Sequence, residues 1–352
     1  MKKEIEIDGR KIGTNYPPYI IAELSGNHNG SLERAKQRIQ IAKNAKADAV
    51  KLQTYTADSL TINSKKDEFL IKQGTWAGRN LYELYQESYT PWEWFPDLFA
   101  FANSLGITIF SSPFDIKSVE FLKDLDVPAF KIASNELTDW PLIEAVVNTG
   151  KPIILSTGTS TKEQIENTIN YISGMRDNGL IVLHCVSAYP AEFKDMNLRT
   201  IQDIQNQFDV LVGLSDHTLG TATAVGAVAL GACVIEKHFT IDRDDGGPDS
   251  SFSLEPDELK VLCQSSRQAW ESLGGVKYGG SSNLGTKGIF TRQLWTIKDI
   301  KAGEKFSWEN VKSIRAPANA GGITPAEYQS VIGQSAAKNI ARHNPLTRNY
   351  IN

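Results

Sequence analysis

Short apolar runs alternate with amphipathic stretches along most of the chain. The runs fall at Tyr19–Leu24, Ala49–Gln53, Thr108–Ser111, Ala129–Ile132, Pro152–Leu155, Leu180–His184, Leu211–Leu214 and Val234–Lys237. Between and after them, apolar residues recur at helical spacing over Leu32–Asn44, Trp92–Leu105, Ile116–Leu125, Leu142–Asn148, Lys162–Ser173, Leu198–Phe208, Thr221–Leu230 and Pro256–Leu273. Continuous apolarity is what a parallel strand covered on both faces requires. Thr161-Lys162-Glu163-Gln164 is a capping pattern, and Gly106 and Gly150 stand where helices should stop. Strand–helix units repeated in this way predict an α/β fold, a (β/α)8 TIM barrel over residues 17–275. A doubly wound open sheet competes with it, but no Gly-x-Gly-x-x-Gly follows the first strand.

The remaining stretches break this rhythm. Residues 1–16 read as an N-terminal hairpin or extension: Lys3–Ile7 alternates and then meets the turn signal Asp8-Gly9. The interval from Gln53 to Trp92 is longer than a strand-to-helix loop needs, and it carries Tyr55, Trp76, Tyr82, Tyr85 and Tyr89. It either lines a pocket, forms a dimer contact or packs on the barrel as a surface insertion. Residues 276–290 have the Gly/Ser composition of a linker. Residues 291–352 change style, with strands expected at Gln293–Ile297 and Val311–Ile314, a turn at Lys298–Glu304 and a helical stretch at Thr324–Gln329. They form a small, mostly-β domain, marginal alone and in need of a partner surface.

Composition narrows the function. The 352 residues are 41% hydrophobic and 22% charged, with net charge −4 and no Lys/Arg block, which argues against nucleic acid and anionic membrane as partners. No segment reaches the roughly 18 apolar residues of a membrane helix, and the N-terminus is not a secretory signal. Cys185, Cys233 and Cys263 form no Cys-x-x-Cys, as expected of a cytoplasmic protein without disulfides.

Chemistry gathers where the apolar runs end. Val234–Ile235 runs into Glu236-Lys237-His238, and Leu211–Leu214 into Ser215-Asp216-His217. Two neighbouring strands ending in histidine can put both imidazoles on one cation, beside Asp216 and Glu236; otherwise each histidine merely caps its strand. In a barrel the C-terminal strand ends form the active face. Its expected residues are Glu23, Ser25, Asn27, His28 and Asn29, then Lys51 and Gln53, Ser111 and Ser112, Lys131 and Ser134, Ser156 and Thr157, and His184, Ser187 and Tyr189. Lys51 and Lys131 each end an apolar run, where a charge is costly without a partner. With Ser134, Ser156 and Ser215 they make a phosphate cradle; the rival uses are structural ion pairs and a Schiff-base nucleophile. Asp242–Ser253 is a polar, acidic, flexible loop suited to closing over a hydroxylated substrate.

The motifs Ile21–Gly30, Val50–Gln53, Lys131–Ser134, Leu155–Gly158, Gly213–Thr218 and Ile235–Phe239, in this order, resemble those of the sialic acid synthase family. The resemblance covers nearly the whole chain, and Lys298–Glu304 with Val311–Arg315 resembles that family's antifreeze-like (SAF, β-clip) domain. Glu23–Ser25, Gln53–Thr61, Leu81–Tyr85 and Asp249–Leu254 are most similar to the pseudaminic acid branch, with neuraminate and legionaminate synthases as alternatives. The resemblance implies a metal-dependent transferase that condenses phosphoenolpyruvate with an amino-sugar aldehyde and releases phosphate by C–O cleavage. It implies that His217 and His238 hold Mn2+ or Mg2+ and that Glu236 faces the sugar; with the two histidines, Glu236 is the expected catalytic group, placed to orient the aldehyde or move the proton. It assigns phosphoenolpyruvate to Lys51, Lys131, Ser134, Ser156, Ser187 and Ser215. It assigns the sugar to Asn29, Gln53, Tyr189 and Asp249, and to Arg315 of the partner subunit in a domain-swapped homodimer. One departure stands out: after Arg315 the family runs Pro-x-x-Gly-Leu, whereas here the longer Ala316–Ile323 follows.

Overall fold

The computed structural model describes residues 3–176, 179–278 and 289–352. It divides into two units, Met1–Gly274 and Gly275–Asn352. The greater part of the linker expected at 276–290 lies outside the described residues.

In the first unit, β1 (Ile5–Ile7) and β2 (Arg10–Ile12) form an antiparallel hairpin turned by Asp8 and Gly9, both at positive φ. Eight parallel strands follow: β3 (Tyr19–Glu23), β4 (Ala49–Thr54), β5 (Thr108–Pro113), β6 (Phe130–Ile132), β7 (Ile153–Ser156), β8 (Leu180–Cys185), β9 (Leu211–Asp216) and β10 (Val234–His238). β10 pairs with β3, Val234 opposite Tyr19 and His238 opposite Glu23, and so closes the barrel. The TIM barrel is the fold the apolar runs predicted, and the helices lie close to their expected spans. Their ends follow local chemistry. Ser31 caps Leu32–Asn44, Thr161 and Gln164 form the capping box of Lys162–Met175, and Gly106 ends Phe95–Leu105 at φ 64°.

Alternation along each strand sorts the side chains into two cores. Outward residues such as Val50, Leu52, Phe130, Ile132 and Ile235 meet the helices. Inward residues fill the barrel: Tyr19, Ile21, Ala49, Phe110, Ala129, Ile154, Ile181, Leu183, Leu211 and Val234, joined by Ile5, Ile7 and Ile12 of the hairpin. The hairpin therefore plugs one end of the barrel with apolar surface, and each fully buried Ile or Phe there stabilises by about 1.5–3 kcal/mol.

In the second unit, β11 (Phe290–Thr296) pairs antiparallel with β12 (Val311–Pro317). Single bridges such as Ile300–Ile340 and Ala336–Ile351 tie the rest around Leu294, Phe306 and Leu346. The helical stretch expected at Thr324–Gln329 is a 3-10 helix at Pro325–Ser330. The longer loop after Arg315 is held by Gln293, whose amide donates to the Pro317 carbonyl (2.8 Å) and accepts from Gly322 N–H (2.7 Å). Among the described residues, no helix is long and apolar enough to cross a membrane.

Candidate active site

On seven of the eight strands, two residues beyond the last inward apolar residue, the same face turns polar. Glu23, Lys51, Ser112, Lys131, Ser156, Cys185 and Glu236 continue the inward faces at the C-terminal strand ends. Lys51 Nζ lies 2.6 Å from Glu23 and 3.7 Å from Glu236, and donates to Ser112 Oγ at 3.1 Å. Lys131 Nζ lies 3.7 Å from the same Glu236 oxygen. Ser215 donates to Glu236 at 3.3 Å, and Gln53 donates to Glu23 at 2.9 Å. One carboxylate thus bridges two cations in a ring closed from below by the apolar layer.

Burial sets the electrostatics of this ring. It opposes charge on Lys51, but Glu23 and Glu236 outweigh it and hold the ammonium above its usual range. At Lys131 burial wins, and the pKa falls. Burial pushes Glu236 up, yet Lys131 and Lys51 prevail and keep it ionised. Burial, aided by the like charge of Glu236, raises Glu23 despite Lys51.

The imidazoles of His217 and His238 stand 5.4 Å apart, centroid to centroid. His217 Nδ1 sits 2.9 Å from the Val186 carbonyl, so Nδ1 carries a proton; burial opposes a second one, but Cys185 beside the ring raises the pKa, and it is the neutral form that offers the Nε2 lone pair. Burial drives His238 well below its ordinary pKa, and its Nδ1 has no hydrogen-bond partner among the described residues. A buried, neutral, unpartnered imidazole nitrogen beside a second free one fits a divalent cation. Among the described residues, no three His, Cys, Asp or Glu are set to hold a metal, so the protein would offer two imidazoles and leave other positions open. Charge balance points the same way: two lysines and two glutamates cancel, and an anion entering this ring gains from further positive charge.

Hydroxyls gather at the ends of the neighbouring strands. Ser156 Oγ is buried with no hydrogen-bond partner among the described residues, a donor waiting for an acceptor. Gly158, at φ 38°, passes so close to Ser134 and Ser187 that a Cβ would come within 2.2 Å of Ser134 Cβ and 2.6 Å of Ser187 Oγ. Only glycine lets these three loops meet. Asp249 contacts Ser25 through its carboxylate and lies 3.9 Å from His238 Nδ1; burial raises its pKa. Asn29 donates to the Asp245 carbonyl at 3.0 Å, on the rim of a cleft of about 450 Å³ that Gly26, Gly30, Glu87, Gly246 and Pro248 also line. Arg315 lies on β12, opposite Arg292, in the second unit.

Three expectations need correction. Asp216 does not accompany the imidazole pair. It points out of the barrel to Lys237 (2.7 Å), because the period of two that turns Glu236 and His238 inward turns Lys237 and Asp216 outward. His28 and His184 do not converge with the other two: His28 packs edge-on to Trp94 and accepts from Gly30 N–H, and His184 Nε2 meets the Met196 carbonyl at 2.6 Å. The loop Asp242–Ser253 is not a free strap. Asn27 accepts from Asp249 N–H (2.9 Å) and donates to Ser253 Oγ (3.1 Å), and Phe252 is buried.

The sequence reading missed Arg38. It is fully buried in the helix Leu32–Asn44, contacts the Phe239 carbonyl just beyond His238 and stacks on the Phe239 ring. A charge at an apolar helical position, between Ala35 and Ala42, was the available signal.

A barrel whose C-terminal mouth carries a cation pair, a bridging carboxylate, unsatisfied hydroxyls and two free imidazole nitrogens defines an anion-handling (β/α)8 enzyme. Comparison with known proteins makes this specific. Residues 38–278 match the NeuB family model and residues 291–350 the SAF domain model, and the chain belongs to the NeuB family. It is 46% identical to pseudaminic acid synthase of Campylobacter jejuni over 327 residues, 93% of this chain and 94% of that one. The corresponding synthase of Helicobacter pylori is 40% identical over 94% of this chain and 97% of its own length. N,N'-diacetyllegionaminic acid synthase of C. jejuni is 39% identical over 91% of this chain and 96% of its own. Among solved structures, an N-acetylneuraminic acid synthetase from Leptospira borgpetersenii superposes with TM-score 0.72 at 33% identity, over 80% of this chain and 94% of that one.

Proposed function

We propose that the chain condenses phosphoenolpyruvate with 2,4-diacetamido-2,4,6-trideoxy-L-altrose and water, giving pseudaminic acid and phosphate. The observation that carries this reading is Lys51 and Lys131 sharing Glu236 at the barrel mouth, in the ring that also carries the unsatisfied Ser156 hydroxyl. The relatives from Campylobacter and Helicobacter supply the choice of sugar.

Carbon 3 of phosphoenolpyruvate bonds to the aldehyde carbon, leaving positive character on carbon 2. Water adds to carbon 2 to give a tetrahedral intermediate; its C–O bond to the bridging oxygen then breaks as the new hydroxyl becomes the ketone, and the hydroxyl proton leaves with the phosphate. Lys51 and Lys131, with Ser134, Ser156, Ser187 and Ser215, hold the phosphate and carboxylate in a buried ring where each charge contact is little screened. Glu236, kept ionised by both lysines, takes the proton released by the adding water; an ionised carboxylate is a base, not an acid. That proton balances the one gained by the former aldehyde oxygen. Asn29, Gln53, Tyr189 and Asp249 orient the sugar. Mn2+ or Mg2+ held by His217 and His238 supplies Lewis-acid polarisation of a carbonyl oxygen when bound. Arg315 comes from the small domain of a partner subunit in a domain-swapped homodimer and meets an N-acetyl group. Mixed Lys131→Met and Arg315→Ala subunits should then regain activity that neither variant has alone. The enzyme works in the cytoplasm, where phosphoenolpyruvate is made.

A second reading has one observation in its favour: burial lowers Lys131, as a Schiff-base nucleophile requires. The deciding experiment uses phosphoenolpyruvate labelled at its bridging oxygen, offered with the altrose-configured aldehyde, its legionaminate counterpart and N-acetylmannosamine. Label in the released phosphate, with the altrose-configured sugar preferred, is the expected result. Label in the sugar acid, or a borohydride-trapped pyruvate adduct, overturns it.

A further inference from the structure

The long excursion between β4 and the helix Phe95–Leu105 takes no part in the charged ring, yet one of its side chains reaches the site. The Trp76 indole lies 5.3 Å from the Tyr189 ring and 6.3 Å from Phe252, centroid to centroid. Tyr189 in turn lies 4.3 Å from His217, and Phe252 lies 5.1 Å from His238. Three aromatic rings from three separate loops therefore form one wall, running outward from the imidazole pair. The segment that presents Trp76 is a tight turn: Ile71 N–H donates to the Arg79 carbonyl at 2.9 Å, and Gly78 N–H to the Ile71 carbonyl at 2.8 Å. It is pinned to the barrel loops by the indole N–H, which donates to the Pro248 carbonyl at 2.8 Å, and by the Thr75 hydroxyl, which donates to the Tyr189 carbonyl. Polar groups join the site from the first strand: Gln53 donates to Glu23 at 2.9 Å, and Ser25 contacts Asp249, whose carboxylate lies 3.9 Å from His238 Nδ1.

We propose that Trp76 is a specificity-determining residue. Its indole closes the sugar end of the site and selects an amino-sugar aldehyde that ends in a methyl rather than a hydroxymethyl group. The assignment rests on the condensation reading above. A methyl group against an aromatic face gives up no hydrogen bond to water. A hydroxyl there is stripped of water beside an indole whose single N–H already serves Pro248. Apolar pockets reject one added hydroxyl by at most about a hundredfold, which sets the scale of the effect.

The test uses the full-length, metal-supplemented enzyme and measures phosphate release from phosphoenolpyruvate. The sugar partners are two altrose-configured diacetamido aldehydes that differ only in a hydroxyl at carbon 6. Wild type should prefer the deoxy sugar. Trp76→Ala should lower that preference by roughly tenfold or more, through the KM of the deoxy sugar, with the KM of phosphoenolpyruvate within about twofold of wild type. Trp76→Phe keeps a ring but loses the Pro248 hydrogen bond, and it should retain most of the preference. An unchanged preference in Trp76→Ala overturns the assignment. So does an equal rise in both KM values, or a loss in Trp76→Phe as complete as in Trp76→Ala, because the excursion would then act only as a clasp. Wild type that releases no phosphate with either aldehyde overturns the condensation reading instead, and does so before any variant is made.

Discussion

The two ends of the barrel interior are built by the same strands and have opposite chemistry. Ile21 gives way to Glu23, Ala49 to Lys51, Phe110 to Ser112, Ala129 to Lys131, Ile154 to Ser156, Leu183 to Cys185 and Val234 to Glu236, each two residues further along one inward face. The exception is β9, where the position between Leu211 and Ser215 is Gly213; a Cβ there would meet the Val234 carbonyl oxygen at 2.4 Å. The lower layer binds the fold together by exclusion of water. The upper layer keeps charges buried, and it is tolerable because each charge has a partner until a ligand arrives. Stability and chemistry are therefore separated by about one step of a strand.

Removing the cation should break the upper layer alone. A chelator is expected to abolish phosphate release, with activity restored by Mn2+ and the melting temperature little changed; full activity in chelator would favour the Schiff-base reading. Lys51→Met strikes the ring itself. It leaves Glu23 and Glu236 short of a buried partner, and kcat/KM for phosphoenolpyruvate should fall by roughly a thousandfold, matching the 2–5 kcal/mol lost when a buried charge pair is cut. Phe110→Ala probes the lower layer. It should cost about 3–5 kcal/mol in denaturant unfolding, while activity per folded molecule stays near wild type.

The smallest effect separates the packing histidines from the site pair. Burial, aided by Arg38, lowers His28 from 6.5 to about 4, so the unfolded chain binds a proton that the folded chain refuses. Stability contributed by neutral His28 is complete above 6.5 and is lost as pH falls toward about 4, by up to roughly 3 kcal/mol at 1.36 kcal/mol per unit. Unfolding curves of wild type and His28→Gln across that window should diverge in slope.

The barrel was legible because parallel strands buried on both faces leave continuous apolar runs, and because capping residues such as Thr161 act locally. The ring was legible because lysine and glutamate are rare at the ends of such runs. Orientation was harder. Glu236-Lys237-His238 and Ser215-Asp216-His217 look equally chemical in sequence, and only the pleat assigns Lys237 and Asp216 to the helix side. Arg38 and the Trp76 wall were less accessible still, since both depend on contacts between segments far apart in the chain. The polar composition of Asp242–Ser253 suggested mobility, whereas Asn27 fastens that loop from the other end of the barrel sequence.

Lys131 offers the most direct measurement. Among the described residues its ammonium donates to the Ile132 carbonyl and faces Glu236 at 3.7 Å, whereas Lys51 meets both Glu23 and Glu236, so Lys131 is the less compensated of the two ring cations. Calorimetric titration of phosphoenolpyruvate into wild type and Lys131→Met should show affinity falling by about a hundredfold or more in a variant that still folds, because Lys51 continues to hold Glu236. Equal affinity in the two proteins would contradict the claim that this ring grips the phosphoenolpyruvate anion.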